Sequence, residues 1–191
     1  EMATNVDDLK RMFTDPAARA LADYINNDCM NLYKDVPYWT GAAASTPDAL
    51  SDFTEAGKIL NDNKVPMDMR RAIWNPAALA KFQLIDTVNE ADKSGTTQAL
   101  REGSIGRIMG IDNYMSQSVK THTTVGAGTT VAIDFGAGYA AGTTALHVDG
   151  LSVGFAVGDR FTLGGYQYVV TAADDLGTAD QDITIYPGLK A

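Results

Sequence analysis

Between Val6 and Lys34 the apolar residues fall at Leu9, Met12, Phe13, Ala17, Leu21, Tyr24, Ile25, Cys29 and Leu32. Steps of three and four place them on one face of a helix. Pro16 interrupts the stripe, because proline has no N–H to donate and its ring crowds the preceding turn. The pattern therefore predicts a kink, or two helices with Asp15 capping and Pro16 as the first residue of the second. Residues 16–34 alone would reach roughly 30 Å at about 1.5 Å per residue.

Further along, Thr46-Pro47 reads as a cap followed by a proline at the first helical position, opening a helix over 47–63. That helix places Ala49, Leu50, Phe53, Ala56 and Leu60 on one side. Arg71-Ala-Ile-Trp-Asn75 is a short apolar strand, and Asn75-Pro76 caps a helix over 76–84. Residues 86–96 are polar and read as a loop, and Ala99 to Glu102 as the close of a short helix. Ile105 to Tyr114 alternates around Gly106 and Gly110, which predicts one bent or bulged strand.

After about residue 120 the pattern changes to short alternating runs between glycines. Strands are expected at 129–134, 144–148, 159–163, 166–172 and 182–186. Gly164-Gly165 marks a hairpin, and Asp149-Gly150, Gly158-Asp159 and Pro187-Gly188 mark further turns. Five short strands in so small a segment predict a sandwich or a partly closed barrel. The expected class is α+β. A helix-rich unit over 1–120 precedes a small all-β unit over 121–191, with the boundary at 119–125.

Composition sharpens that division. The 191-residue chain carries 18 glycines, of which 12 lie in 121–191, whereas 13 of its 15 basic residues lie in 1–120. The formal net charge of −9 gives no counterion-release gain on nucleic acid and no attraction to an anionic membrane surface. One cysteine, Cys29, forms no internal disulfide and builds no cysteine-rich zinc site. It reads as an inert packed thiol within the apolar stripe. No metal site and no cofactor is expected.

Candidate chemistry is thin. Gly103-Ser104-Ile-Gly106 resembles a nucleophile elbow, but Glu102 stands where the first glycine is required, and the nearest histidine, His122, lies in a linker. Gly126-Ala-Gly128-Thr-Thr130 has the glycines of a phosphate loop without its lysine. The acidic run from Asp174 to Asp182 fails the EF-hand spacing and reads as a solvated hairpin loop. Asp7, Asp8, Asp15, Asp23 and Asp28 form a solvated helix face. His147 lies between Leu146 and Val148 and points to the polar side of its strand by alternation, with no role assigned. Bottom-up reading thus favours a structural or interaction protein over an enzyme.

Three motifs carry a resemblance. Arg71-Ala-Ile-Trp-Asn-Pro-Ala-Ala-Leu-Ala-Lys-Phe82 looks like the strand, aromatic-Asn-Pro and short helix of phage coat proteins. Ala99-Leu-Arg-Glu-Gly-Ser-Ile-Gly-Arg-Ile-Met-Gly-Ile-Asp112 resembles their segment ending in Gly-Phe-Asp or Gly-Ile-Asp. Val157-Gly-Asp-Arg-Phe-Thr-Leu-Gly-Gly165 is similar to a hairpin in the β-domain inserted into some of them. The order of parts agrees as well. The chain thus resembles the middle of a tailed-bacteriophage or prophage major capsid protein of the Hong Kong 97 fold, in the podovirus-type subgroup with an inserted β-domain.

That resemblance implies a non-enzymatic subunit of the virion, self-assembling in the bacterial cytoplasm into an icosahedral head. The partners it implies are further copies, scaffolding and portal proteins, and packaged DNA held only loosely, with no membrane. Residues 16–34 would belong to the spine helix and 121–191 to the insertion domain. The N-terminal arm and the return strands of such proteins are not in the sequence, so a fragment of the full coat protein is expected. Arg70, Arg71, Arg101 and Arg107 are candidates for structural or intersubunit salt bridges. The alternative is a β-module for adhesion or carbohydrate binding on a helical support, with Tyr139, Phe155, Tyr166 and Tyr168 as a surface aromatic cluster.

Overall fold

A computed structural model describes residues 2–42, 45–90, 92, 95, 97–124, 132–133, 138–174 and 180–190. The fold is α+β, with a long helix, a small mixed sheet beside short helices, and a curled antiparallel sheet.

The long helix runs as α1 (Met2–Leu9), a π turn (Lys10–Thr14) and α2 (Asp15–Asn31), and closes in a 3-10 turn (Leu32–Asp35). At 1.5 Å per residue it is about 45 Å long. It runs through Pro16 without a break, which corrects the expectation of two helices with Asp15 as the cap. Asp15 has helical torsions, φ −66° and ψ −44°, so it is no cap, and its N–H reaches Lys10 O in the π pattern. The wider π turn lies just ahead of the proline, where an ordinary turn would be crowded by the ring.

Helix α3 (Leu50–Asp62) begins later than Thr46-Pro47 predicted. Asp52 supplies the reason, because its Oδ2 accepts the backbone N–H groups of Asp48 (2.9 Å) and Ala49 (3.1 Å). An acidic residue in the first turn thereby satisfies two N–H groups ahead of the helix. The start of α4 (Pro76–Gln83) follows the sequence, with Asn75 Oδ1 accepting the Ala78 N–H at 2.8 Å.

Strand β1 (Arg71–Trp74) lies parallel to β3 (Ile111–Met115), which pairs antiparallel with β2 (Arg107–Ile108). The single bulged strand expected over 105–114 is thus a hairpin. Met109 (φ 49°) and Gly110 (φ 82°) form its two-residue turn. Positive φ at both central residues is what a tight hairpin of this twist requires. Phe53, Ala78, Phe82, Val88, Ile105 and Ile111 form the core beneath this sheet. Phe53, Trp74 and Phe82 meet at ring-centroid distances of 4.7–5.3 Å. Tilted and edge-on contacts of this kind add to the area buried.

The second sheet has the order β4-β5-β8-β7-β6, all antiparallel. Its strands are β4 (Ala132–Ile133), β5 (Ala145–Asp149), β6 (Arg160–Leu163), β7 (Tyr166–Ala173) and β8 (Gln181–Tyr186). Most of the 129–134 candidate lies outside the described residues, which include only β4 from it. The sheet curls into a partly closed barrel: Ile133 from one edge strand and Phe161 and Leu163 from the other line the same apolar cleft of about 270 Å³. Alternation sets its interior, with Leu146, Val148, Tyr168, Val170, Ile183 and Ile185 pointing inward beside Leu151 and Phe155. Gln181 is buried there, and its amide holds both the N–H (2.7 Å) and the carbonyl (3.0 Å) of Phe155.

Candidate functional site

Three places combine exposed or polar side chains with defined geometry: the long helix, the arginines of the small sheet, and the junction between the helix end and the curled sheet.

No residue of α2 is buried. Val6, Leu9, Phe13, Leu21, Tyr24, Ile25 and Leu32 are each at least 55% exposed. The periodic stripe read from the sequence is therefore present but bare. Cys29 is exposed with it, which corrects its reading as a packed thiol. Monomeric proteins seldom leave a contiguous apolar face of this length in water.

The four arginines divide by what they hold. Arg70 is spent inside its own unit: Nε donates to Pro66 O at 2.9 Å, and Nη2 to Asn61 Oδ1 (2.8 Å) and Val65 O (2.6 Å). Arg107 serves its own hairpin, donating to Gly110 O at 3.1 Å with Nε 3.7 Å from Asp112 Oδ1. Arg71 pairs in register with the same Asp112 from the opposite side, so two arginines flank one aspartate across three strands. Arg71 is exposed, as is Arg101 on the short helix Gln98–Glu102. Among the described residues, neither has a side-chain partner of the kind that holds Arg70 and Arg107, although Arg107 is exposed as well.

At the junction, the 3-10 turn and the segment after it lie against β6 and β7. Arg160 sets its guanidinium over the Tyr33 ring, 5.6 Å from the centroid. It donates to Tyr33 O at 2.7 Å and to Val36 O at 3.0 Å. Burial lowers its pKa from the ordinary arginine value, and the nearby Tyr33 and Asp159 oppose that shift. His122 bridges Tyr33 and Asp159, with Nδ1 3.1 Å from the Tyr33 hydroxyl and Nε2 2.6 Å from Asp159 Oδ1. Asp159 is fully buried, and its Oδ2 accepts the Ala156 N–H. A neutral imidazole satisfies both partners by donating from Nε2 and accepting at Nδ1. Gln167 gives Oε1 to the Trp39 N–H (3.3 Å) and Nε2 to the Trp39 carbonyl (2.8 Å). A cleft of about 290 Å³ lies beside these contacts, lined by Trp39, Thr40, His122, Thr124 and Arg160.

Sequence reading left His122 in a linker and gave Arg160 no role. Their single signal was the Gly158-Asp159-Arg160 turn, where glycine has a structural reason. At φ +96°, a Cβ at Gly158 would lie 3.0 Å from Lys34 Cγ and 3.2 Å from His122 Cε1.

The other candidates fare differently. Both ring nitrogens of His122 are engaged, so it is not held as a base for Ser104, whose Oγ accepts only a long 3.4 Å contact from the Gly106 N–H. Among the described residues, no group of three or more His, Cys, Asp or Glu side chains forms a metal site, and no helix is long and apolar enough to cross a membrane. The Gly126–Thr130 loop lies outside the described residues, as do 175–179 of the acidic run. His147 faces outward as alternation predicts, with Nδ1 2.7 Å from Asp182 Oδ1 on the neighbouring strand.

The aromatic cluster of the carbohydrate reading is corrected. Tyr168 and Phe155 are buried core residues, and Tyr139 is half-buried, its hydroxyl accepting the His147 N–H at 2.7 Å. Tyr166 alone of the four is exposed.

No family model and no curated protein sequence matches the chain. Among solved structures, one from Mycobacterium phage Che8 has a similar fold, with a TM-score of 0.52 at 18% sequence identity. The match covers 94% of this chain, which spans 60% of that one.

Proposed function

We propose that the chain is a structural subunit of a bacteriophage or prophage capsid shell, of the Hong Kong 97 type with a β-domain inserted at 121–191. The observation that carries the reading is the bare apolar face of the long helix. A face of this kind, about 45 Å long, is built to be covered when subunits come together. The fold likeness to a phage structure supports it, as do the ordered motifs around Asn75-Pro76 and Gly110-Ile-Asp112.

The physics of a shell fits the rest of the surface. Closed assemblies need many repeated contacts between identical copies and no reactive pocket. Exposed arginines such as Arg71 and Arg101 would add register rather than affinity, since exposed ion pairs contribute about 0–1 kcal/mol. A net charge of −9 would keep packaged DNA from condensing on the wall. Scaffolding and portal proteins are the partners this reading carries with it.

Sedimentation of the full gene product, expressed with its neighbouring genes, tests the role of the helix. The expected result is fast-sedimenting particles for the natural sequence and only free subunits or small oligomers for Leu21→Asp/Ile25→Asp. Particles of unchanged size and yield from that variant would remove the helix face as the packing surface.

A further inference from the structure

The contacts at the junction all converge on one short stretch of chain. Residues 33–40 follow directly from the long helix. Tyr33 and Val36 are held by Arg160, the Tyr33 hydroxyl by His122, and both backbone polar groups of Trp39 by Gln167. The same stretch reaches the other core, where Thr40 Oγ1 donates to Glu55 Oε2 of α3 at 2.6 Å. Between α3 and the β6–β7 hairpin lies a cleft of about 410 Å³, bordered by Ile59, Asp62 and Asn63 on one side and Tyr166 and Gln167 on the other.

We propose that residues 33–40 form a strap that fixes the direction of the curled sheet to the end of the long helix, with Arg160 and Gln167 as its pins. Parts of a chain joined by a small polar interface move relative to one another by default. Here the interface is small, but its polar groups are paired at both ends and its central carboxylate, Asp159, is wholly out of water. Loss of His122 would leave the buried Asp159 carboxylate one hydrogen bond short, and loss of Arg160 would release the carbonyls of Tyr33 and Val36. A half-buried guanidinium that grips the carbonyls of Tyr33 and Val36 and the Tyr33 ring therefore resists rotation about the strap. Gly158 completes the seat, since any side chain there would push Lys34 and His122 away. A movement of the long helix is then carried to the curled sheet through the strap, while Thr40 ties the same stretch to the Phe53 unit through Glu55.

This inference is independent of the capsid reading. Spin labels on the native exposed Cys29 and on an introduced Ser152→Cys measure the distance between helix and sheet by pulsed electron resonance. The expected result is one narrow distance distribution for the otherwise natural chain. In Arg160→Met/Gln167→Ala it should broaden roughly twofold or more, as for parts joined without a fixed interface. Glu55→Ala should leave it narrow. Gly158→Ala, which keeps every donor and acceptor, provides the second reading should the double variant not fold. Broadening in either variant supports the strap. A distribution unchanged in every folded pin or seat variant overturns it, as does equal broadening in Glu55→Ala.

Discussion

Trp74 donates its indole N–H to Asn113 Oδ1 at 2.8 Å, across the parallel pairing of β1 and β3. The other end of the same amide donates to the carbonyls of Gly106 (2.9 Å) and Ile111 (3.0 Å). One half-buried side chain thus ties β1 to the β2–β3 hairpin. It also fixes the tryptophan that meets Phe53 and Phe82 edge to face.

Asn113→Ala removes three hydrogen bonds and leaves the indole N–H without its acceptor. The expected loss of stability is about 1–3 kcal/mol, the cost of stranding such groups. Urea unfolding followed by tryptophan fluorescence measures it directly. A midpoint unchanged from the natural protein would mean that water replaces the amide without cost.

Phe82 is fully buried at the centre of the aromatic trio. Phe82→Ala should destabilise by about 3–5 kcal/mol, from lost transfer energy and the cavity left behind. Thermal unfolding by calorimetry reads this loss. A drop no larger than that of a surface substitution would place the core elsewhere.

Met109 sits at φ 49° in the two-residue hairpin turn and is 55% exposed. Its side chain contributes little packing, while its backbone is in the left-handed region. Asparagine tolerates that region far better, so Met109→Asn should stabilise by about 1 kcal/mol. A fall in the denaturation midpoint would show instead that the methionine side chain is held by contacts worth more than the strain.

The sequence made the regular elements legible where local chemistry decides them. Asn75-Pro76 is a cap because the asparagine oxygen and the proline ring both act within one turn. The strands of the curled sheet follow because alternation and glycine turns act within a hairpin. Reading failed where a neighbouring side chain or a change of helix type overrides the local signal. Asp52 displaces the start of α3, and the π turn absorbs Pro16. Two glycines in 105–114 read equally as a bulge or as a turn, and the positive φ of Met109 decides between them.

The junction was almost invisible because its partners are far apart in sequence. Tyr33, His122 and Arg160 lie 37 or more positions apart along the chain for each cross-contact. No local period links them. Burial of Tyr168 and Phe155 was equally hidden, since either face of a strand can carry an aromatic and Phe155 lies in the loop between β5 and β6. The helix stripe, by contrast, was legible as a pattern, but its exposure was not. Periodicity states which face is apolar and says nothing of what covers it.

Leu21 and Ile25 are 61% and 55% exposed, so replacing both with aspartate removes little packing from the chain itself. Leu21→Asp/Ile25→Asp should therefore leave folding stability within roughly 0.5 kcal/mol per site. It should at the same time lower the tendency of the chain to associate as concentration rises. Circular dichroism melts and light scattering on the same samples check both halves. A large fall in melting temperature would mean that the stripe is already packed within the subunit.

The central claim, that the chain is a shell subunit, is tested most directly by negative-stain electron microscopy of the full gene product expressed with its neighbouring genes. Closed shells or capsomer rings of uniform size are the predicted result. Folded, soluble protein that remains as single subunits with its scaffolding partner present would contradict it.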